Sequence, residues 1–116
     1  MAEAGCVFCM IAEKKIAAGV VFEDDRLMAF KDNNPQGPVH ILIIPKLHIE
    51  KLSEISDADS QLIGELILTA KRLACRQGIN ESGYRLVLNC GKDAGQEVPH
   101  LHLHLLGGRP FAWPPG

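Results

Sequence analysis

Residues 96–109, with the sequence QEVPHLHLHLLGGR, carry three of the five histidines of the chain at two-residue spacing. Alternate side chains of an extended strand point to opposite faces, so His100, His102 and His104 are expected to share one face. The leucines between them are expected to share the other face, which we predict to be buried, and the histidine face to remain available for chemistry. Two protonated imidazoles about 6.6 Å apart repel by roughly 2.5 kcal/mol at an effective dielectric constant near ~20, so we expect mostly neutral rings at pH 7.

Neutral imidazoles act as nucleophiles, bases and metal ligands. The histidine pattern alone therefore leaves three non-catalytic interpretations open, namely one shared metal site, a polar seam in the core and a solvated strand edge. A glycine-rich segment, residues 89–96 (NCGKDAGQ), precedes the histidines. Such a loop exposes backbone N–H groups that suit an anion, so it favours chemistry on an anionic ligand over the other interpretations.

The 116 residues are 47% hydrophobic and carry a formal net charge of −2. This length and composition predict one domain, residues 1–116, with a substantial core. Without a visible basic patch the chain is not expected to bind nucleic acid, although a small nucleotide remains compatible with it. No apolar run approaches the ~20 residues of a membrane span, and the first five residues lack the features of a signal peptide. We therefore expect a cytoplasmic protein that does not enter a membrane.

Apolar spacing predicts a short helix, a hairpin, a strand, a long helix and two further strands, in that order. The long helix begins with a capping-box pattern at Ser56 and ends at Gly78. Short connections favour an α+β fold with an antiparallel meander sheet of about five strands over parallel winding. The predicted ranges are 7–15 for the short helix, 20–31 for the hairpin, 39–45 for the strand, 56–77 for the long helix, and 84–89 and the histidine segment for the last two strands.

The four cysteines divide into a CxxC pair, Cys6 and Cys9, and two single residues, Cys75 and Cys90. The pair alone is compatible with a redox motif, a zinc half-site or an accidental spacing, and the βαβ unit expected after a redox motif is missing. In a reducing cytosol we expect Cys75 and Cys90 to be free thiols, buried as small hydrophobic side chains.

The segment HLHLHLL (residues 100–106), with Asn89 upstream and GGR after it, resembles the His-φ-His-φ-His-φ-φ pattern of the histidine-triad (HIT) family, where φ is hydrophobic. The segment from Phe22 to His40 and the tail ending in WPPG resemble the Hint branch of that family. The resemblance covers nearly the whole chain. It implies a two-fold homodimer that hydrolyses the P–N bond of purine nucleoside 5′-phosphoramidates through a nucleotidyl-histidine intermediate. A dinucleoside polyphosphate hydrolase of the Fhit type, a nucleotide-binding adaptor with incidental turnover and a zinc-only structural module remain alternatives, and the WPPG tail favours Hint.

The resemblance also implies roles for individual residues. His102 resembles the nucleophile, and His100, His104 and His40 resemble the relay that orients it and passes protons to the leaving amine. Asp32 resembles the carboxylate that binds both ribose hydroxyls. The expected phosphate cradle consists of Asn89, Gly95, Gln96 and the backbone N–H of Val98. The expected base pocket consists of Phe8, Ile11, Ile16, Phe30 and Leu42. Trp113 is expected to reach toward the active site of the partner subunit.

Some members of the family bind zinc through a CxxC and two histidines, and the matching positions here are Cys6, Cys9, His48 and His100. Two thiolates and two imidazoles form a closed tetrahedral set, which is typical of structural zinc. We therefore expect a zinc ion that joins the N-terminal helix to the histidine segment.

Two positions depart from the family pattern. Glu97 stands where some relatives carry a serine that points toward the phosphate, and Pro99 replaces an aromatic residue. A carboxylate at position 97 would repel a phosphate, so we expect the side chain of Glu97 to turn away from it.

Overall fold

The computed structural model describes residues 2–116, and Met1 of the predicted domain lies outside them. The fold is α+β, with a five-stranded antiparallel sheet and one long helix. Two short 3-10 helices, Leu52–Glu54 and Asp57–Asp59, precede the long helix. The other elements are α1 Val7–Ala12, β1 Val20–Glu23, β2 Leu27–Lys31, β3 Val39–Pro45, α2 Ser60–Arg76, β4 Tyr84–Val87 and β5 Leu103–Gly107.

The strand order is β1-β2-β3-β5-β4, and all neighbouring strands are antiparallel. The predicted hairpin and the predicted strand 39–45 are confirmed, but the sheet is a meander only through β3. The chain crosses through α2 to form β4 at the edge, and β5 then returns between β3 and β4. The physical reason is burial: β3 is almost entirely buried, and β5 carries the leucine face, so both gain most from central positions.

Helix α2 packs its apolar stripe against one face of the sheet. Leu66, Ala70 and Leu73 on this stripe are at most 1% exposed and belong to the same core cluster as the leucine face of the histidine segment. The predicted capping box is present: the backbone N–H of Ser56 donates to the carboxylate of Asp59 at 3.0 Å. It caps a 3-10 helix, so the α-helix itself begins at Ser60, four residues after the predicted start.

Helix α1 covers the opposite face of the sheet. Its side chains Phe8, Cys9 and Ile11 pack with Phe30 and Leu42 in a second apolar cluster. The predicted histidine face is therefore covered for most of its length, and only His102 and His104 line a pocket. His100 is 0% exposed and His102 is 6% exposed, because α1 and the preceding loop pack over them. Both residues lie in irregular chain before β5.

The two single cysteines are more exposed than predicted. Cys75 lies on the outward face of α2 and is exposed, and Cys90 is half-buried. The helical period explains Cys75, because its neighbours Leu73 and Ala74 already occupy the buried stripe. Within residues 2–116, no helix has both the length and the apolar character needed to cross a membrane.

Candidate active site

A pocket of about 330 Å³ opens beside α1, the end of β2 and the loop before β5. Its wall is apolar near α1 and polar near the histidines. The predicted site residues that line it are Phe8, Ile11, Ile16, Phe30, Asp32, Leu42, Asn89, Gly95, Val98, His102 and His104. The structure thus brings most of the predicted nucleotide site into one cavity, although these residues come from distant parts of the chain.

The protonation of His102 follows from its backbone partner. Its Nδ1 lies 2.7 Å from the carbonyl oxygen of His100, and a carbonyl only accepts hydrogen bonds. Nδ1 therefore carries the proton, and Nε2 of the neutral ring carries the lone pair. The ring of Phe8 packs edge-on against the ring of His102, and the two ring centroids lie 5.2 Å apart. The arrangement makes Nε2 of His102 a nucleophilic nitrogen.

The second histidine pair is ordered by another backbone group. The backbone N–H of Gln36 donates to Nδ1 of His40 at 3.0 Å, so Nε2 of His40 carries the proton. That nitrogen lies 2.9 Å from Nδ1 of His104 and 3.4 Å from a carboxylate oxygen of Asp32. Nδ1 of His104 accepts, and the proton of its neutral ring is therefore on Nε2. Nε2 of His104 is thus an N–H donor, whereas Nε2 of His102 carries a lone pair. The centroids of the two rings lie 5.0 Å apart.

Burial keeps these rings neutral. Burial, helped by the neighbouring rings of His102 and His40, lowers the pKa of His104 to about 4 against the opposing effect of Asp32. Burial also lowers the pKa of His40, again opposed by Asp32. At pH 7 both rings are uncharged in the free protein, as the tautomers above require.

The ring of His100 belongs to a different cluster. Its Nε2 donates to the carbonyl oxygen of Pro45 at 2.8 Å, and its Nδ1 lies 3.3 Å from Sγ of Cys6 and 3.5 Å from Sγ of Cys9. Nδ1 of His48 lies 3.3 Å from the same Cys9 sulfur. Both nitrogens of His100 are committed, so the geometry does not support the predicted relay role of its imidazole. His100 acts on His102 through its backbone carbonyl.

The four residues of this cluster can hold a metal ion. The ligand atoms of Cys6, Cys9, His48 and His100 all lie within 4.8 Å of one another. Burial lowers the pKa of His100 to about 4, and the Pro45 carbonyl holds its proton on Nε2, so the lone pair on Nδ1 faces the sulfurs. Burial raises the pKa of the Cys9 thiol, and a bound cation would reverse that effect by stabilising the thiolate.

A second group of potential ligands, Asp32, His40 and His104, also lies within 4.8 Å. Its chemistry does not suit a metal. Because the Gln36 N–H occupies Nδ1 of His40, the nitrogen facing the other two residues carries a proton and has no lone pair to offer. This group forms a hydrogen-bonded relay instead.

The loop before β5 is held by Gln96. Its side-chain oxygen accepts from the backbone N–H of Gly91 at 2.9 Å, and its amide nitrogen donates to the carbonyl oxygens of Glu50 and Val98. Gln96 does not line the pocket, and its side-chain amide is used to shape the loop. Its predicted place in the phosphate cradle stays a prediction. Gly95 has a φ of 82°, a conformation that glycine adopts without strain.

Trp113 also lies outside the pocket and is 83% exposed. Its predicted role needs a partner subunit and stays a prediction. The residue that sequence reasoning missed is Gln36, which acts through its backbone N–H and therefore leaves no side-chain signal. The loop that carries Gln36 is held in turn by Arg109, whose Nε donates to the Gln36 carbonyl oxygen at 2.9 Å.

Comparison with known proteins gives a consistent result. The chain is 52% identical over 110 residues to an uncharacterized HIT-like protein of Synechocystis sp., covering 95% of this chain and 96% of that protein. It is similar to the crystal structure of a HIT family hydrolase from Legionella pneumophila, with a TM-score of 0.95 and 53% identity over 97% of this chain and 100% of the other. A histidine triad protein from Clostridium difficile gives a TM-score of 0.94 and 40% identity over 97% of each chain.

The sheet, its two covering layers and the paired histidines thus place the molecule in one class with the HIT hydrolases of known structure. The HIT domain family model matches residues 13–111, and the chain belongs to that family. The matched range begins after Cys6 and Cys9, so the group of potential metal ligands includes two residues outside it.

Proposed function

We propose that this HIT protein is a Hint-type enzyme, which hydrolyses the P–N bond of purine nucleoside 5′-phosphoramidates through a nucleotidyl intermediate on His102. The observation that carries the proposal is the pair of opposite tautomers at one pocket. Nε2 of His102 has a lone pair, and Nε2 of His104 has a proton. Displacement of an amine from phosphorus needs a nucleophile and a proton donor, and these two rings supply them.

In the first step Nε2 of His102 attacks the α-phosphorus, and the bond from phosphorus to the amine nitrogen breaks. The attacking nitrogen has no proton to lose, because the His100 carbonyl holds the ring proton on Nδ1. No separate base is needed. The same carbonyl stabilises the positive charge that the ring acquires when the new P–N bond forms.

The leaving amine takes one proton, which the relay supplies. The His40–His104 pair is neutral in the free protein. When the phosphate anion lies beside it, the pair takes a proton from solvent on Nδ1 of His40, which then no longer accepts from the Gln36 N–H. The Asp32 carboxylate, 3.4 Å from Nε2 of His40, stabilises this added charge. Nε2 of His104 delivers its proton to the amine while Nε2 of His40 passes its proton to Nδ1 of His104. His104 is then neutral, with a lone pair on Nε2. That lone pair accepts a proton from the water that hydrolyses the intermediate.

The lining of the pocket favours one orientation of a bound nucleotide, with the base at the apolar wall and the phosphate at the polar end. Its apolar wall contains Phe8 and Phe30, whose rings meet edge to face with centroids 5.4 Å apart, and it suits a purine base. Asp32 accepts a hydrogen bond from the N–H of Asn34 at 2.8 Å on Oδ1, and a carboxylate has further lone pairs that can accept from the ribose hydroxyls. The phosphate then lies beside Asn89 and Gly95.

We also propose that the Cys6, Cys9, His48 and His100 cluster binds zinc as a structural ion, in a cytoplasmic protein whose cysteines stay reduced. All four cysteines are free, which leaves both thiols available as ligands. The ion would stabilise the attachment of α1 to the histidine segment and add no step to the reaction.

The chain is further proposed to form one HIT domain that pairs as a two-fold homodimer. The resemblance implies that the apolar stripe of α2 contributes to the interface. Most of this stripe is buried in the core of the protomer, and Ile67 is the member that remains exposed. Ile67 and Leu68 on the outer face of α2 are 42% and 48% exposed, and β4 forms a free sheet edge. These surfaces are the proposed contact.

Steady-state hydrolysis of an AMP phosphoramidate, compared with a diadenosine polyphosphate, tests the proposed activity. We expect a higher kcat/KM for the phosphoramidate. Preference for the diadenosine compound would indicate a dinucleoside polyphosphate hydrolase. Tight nucleotide binding with negligible turnover of both substrates would indicate an adaptor.

A further inference from the structure

A second groove shares part of its lining with the active-site pocket, and its charged residues are Glu50, Lys51, Lys92 and Glu97. We call it the exit groove. Among residues 2–116, Gly95 and Glu97 are the two that line both the pocket and the exit groove. Because Gly95 has no side chain, Glu97 contributes the one side chain at the junction.

The backbone on both sides of Glu97 is fixed. The Gln96 side chain is hydrogen-bonded to the carbonyl oxygens of Glu50 and Val98, and the Val98 carbonyl also accepts from the N–H of His100 at 2.8 Å. Glu97 itself is exposed, and none of the ion pairs formed within the described chain involves it. The backbone of Glu97 is therefore held at the junction, and its carboxylate remains available to a ligand.

The charges around the junction are asymmetric. Within residues 2–116, the one lysine that lines the pocket, Lys31, directly precedes Asp32 at the proposed ribose end. Lys51 and Lys92 line the exit groove but not the pocket. A leaving group that extends from the phosphorus into the exit groove meets the Glu97 carboxylate before it reaches either lysine.

We propose that Glu97 determines leaving-group specificity: it favours nucleoside phosphoramidates whose amine carries a second, positively charged nitrogen, and it disfavours leaving groups that extend as phosphate chains. The inference rests on the proposed function, which places the reacting phosphorus beside His102. An ammonium group in the junction gains an opposite charge, whereas a phosphate chain there faces a like charge. This position thereby selects among substrates without contacting the reacting atoms.

The test uses AMP phosphoramidates of three amines of equal length, which end in an ammonium, a hydroxyl or a carboxylate group. The full-length protein is compared with Glu97→Gln and Glu97→Lys, and Glu81→Gln is the matched control, since Glu81 is exposed and lines neither cavity. In the unsubstituted protein, kcat/KM should be highest for the ammonium tail. Glu97→Gln should reduce the ammonium-to-carboxylate ratio by roughly five- to tenfold, and Glu97→Lys should invert the preference. The hydroxyl-tailed substrate and the control should change little.

An unchanged ratio in Glu97→Gln would overturn the inference and leave the phosphoramidase function standing. Absence of turnover for all three substrates in the unsubstituted protein would instead overturn the proposed function. In that case the role of Glu97 is tested by binding. Competition experiments measure the dissociation constants of AMP alkyl esters with the same three tails. Equal affinities for the ammonium and carboxylate esters would then overturn the role of Glu97, and an ammonium preference lost in Glu97→Gln would support it.

Discussion

The Nδ1 atom of His102 lies 2.7 Å from the carbonyl oxygen of His100, and the ring of that same His100 is enclosed by Cys6 and Cys9. One residue thus belongs to two sites. Its imidazole faces the potential metal ligands, and its backbone sets the tautomer of the proposed nucleophile. Any group that holds the His100 ring in place also orients the carbonyl that prepares His102 for attack.

His102→Ala should abolish the covalent intermediate and lower turnover by about 10³-fold or more, since the attacking nitrogen is lost. Nucleotide affinity should change little, because Asp32 and the loop at Asn89 remain. Rapid acid quench with intact-mass detection should find one nucleotidyl adduct on His102 in the unsubstituted protein. An adduct on His104 or Cys90, or normal turnover in His102→Ala, would rule out this mechanism.

Treatment with a chelator should lower the melting temperature, as expected for the proposed structural zinc. Elemental analysis of the purified protein should find about one zinc per chain, and Cys9→Ser should lose most of it, because Cys9 lies close to both histidines of the cluster. Cys75→Ser is the matched control, since Cys75 is an exposed thiol on α2. Equal stability of the zinc-containing and chelator-treated proteins would contradict a structural role.

Asp32→Ala should weaken ribonucleotides by roughly 10-fold or more, and 2′-deoxynucleotides much less, because one carboxylate bonds both ribose hydroxyls. Asp32 also accepts from the N–H of Asn34, so the substitution can disturb the loop. Asp32→Asn controls for this effect, since its side-chain oxygen can still accept that bond. Equal losses for ribose and deoxyribose ligands would place the ribose elsewhere.

Acid should destabilise the fold between pH 6.5 and about 4 through His104. The unfolded chain protonates this ring near its ordinary pKa of 6.5, whereas the folded protein resists protonation down to about 4. The unfolded state therefore binds more protons across this window, and the stability that is present above pH 6.5 is lost as the pH falls. Thermal melts of His104→Gln should show a shallower decline of melting temperature. Parallel curves for the two proteins would contradict the assignment.

Leu68→Glu should convert a dimer into monomers, because it places a charge on the exposed apolar face of α2. Leu47→Glu is a matched control, since Leu47 is 50% exposed and lies outside α2 and β4. Sedimentation at micromolar concentration measures the outcome. A monomer in the unsubstituted protein would reject the proposed homodimer.

Local spacing was sufficient for much of the fold and for the identity of the site residues. Alternation and apolar runs predicted the hairpin and β3, and the helical period predicted α2, because each depends on neighbours within a few residues. The two-residue repeat also predicted the buried leucine face of the histidine segment. The chemical types of Asp32, His40, His48 and the CxxC pair indicated candidates, although their sequence separation left open which of them meet.

Only the tertiary structure decided which of these candidates belong to the pocket and which belong to the group of potential metal ligands. The insertion of β5 between β3 and β4 is a long-range pairing, and it brings His104 to His40. The packing of α1 over the sheet brings Cys6 and Cys9 to His100 and thereby separates this histidine from the other two. The tautomers depend on a carbonyl of His100 and an N–H of Gln36, and every residue type carries such backbone groups. Their positions arise only when the chain folds, so the sequence identified the histidines while the fold assigned their protons.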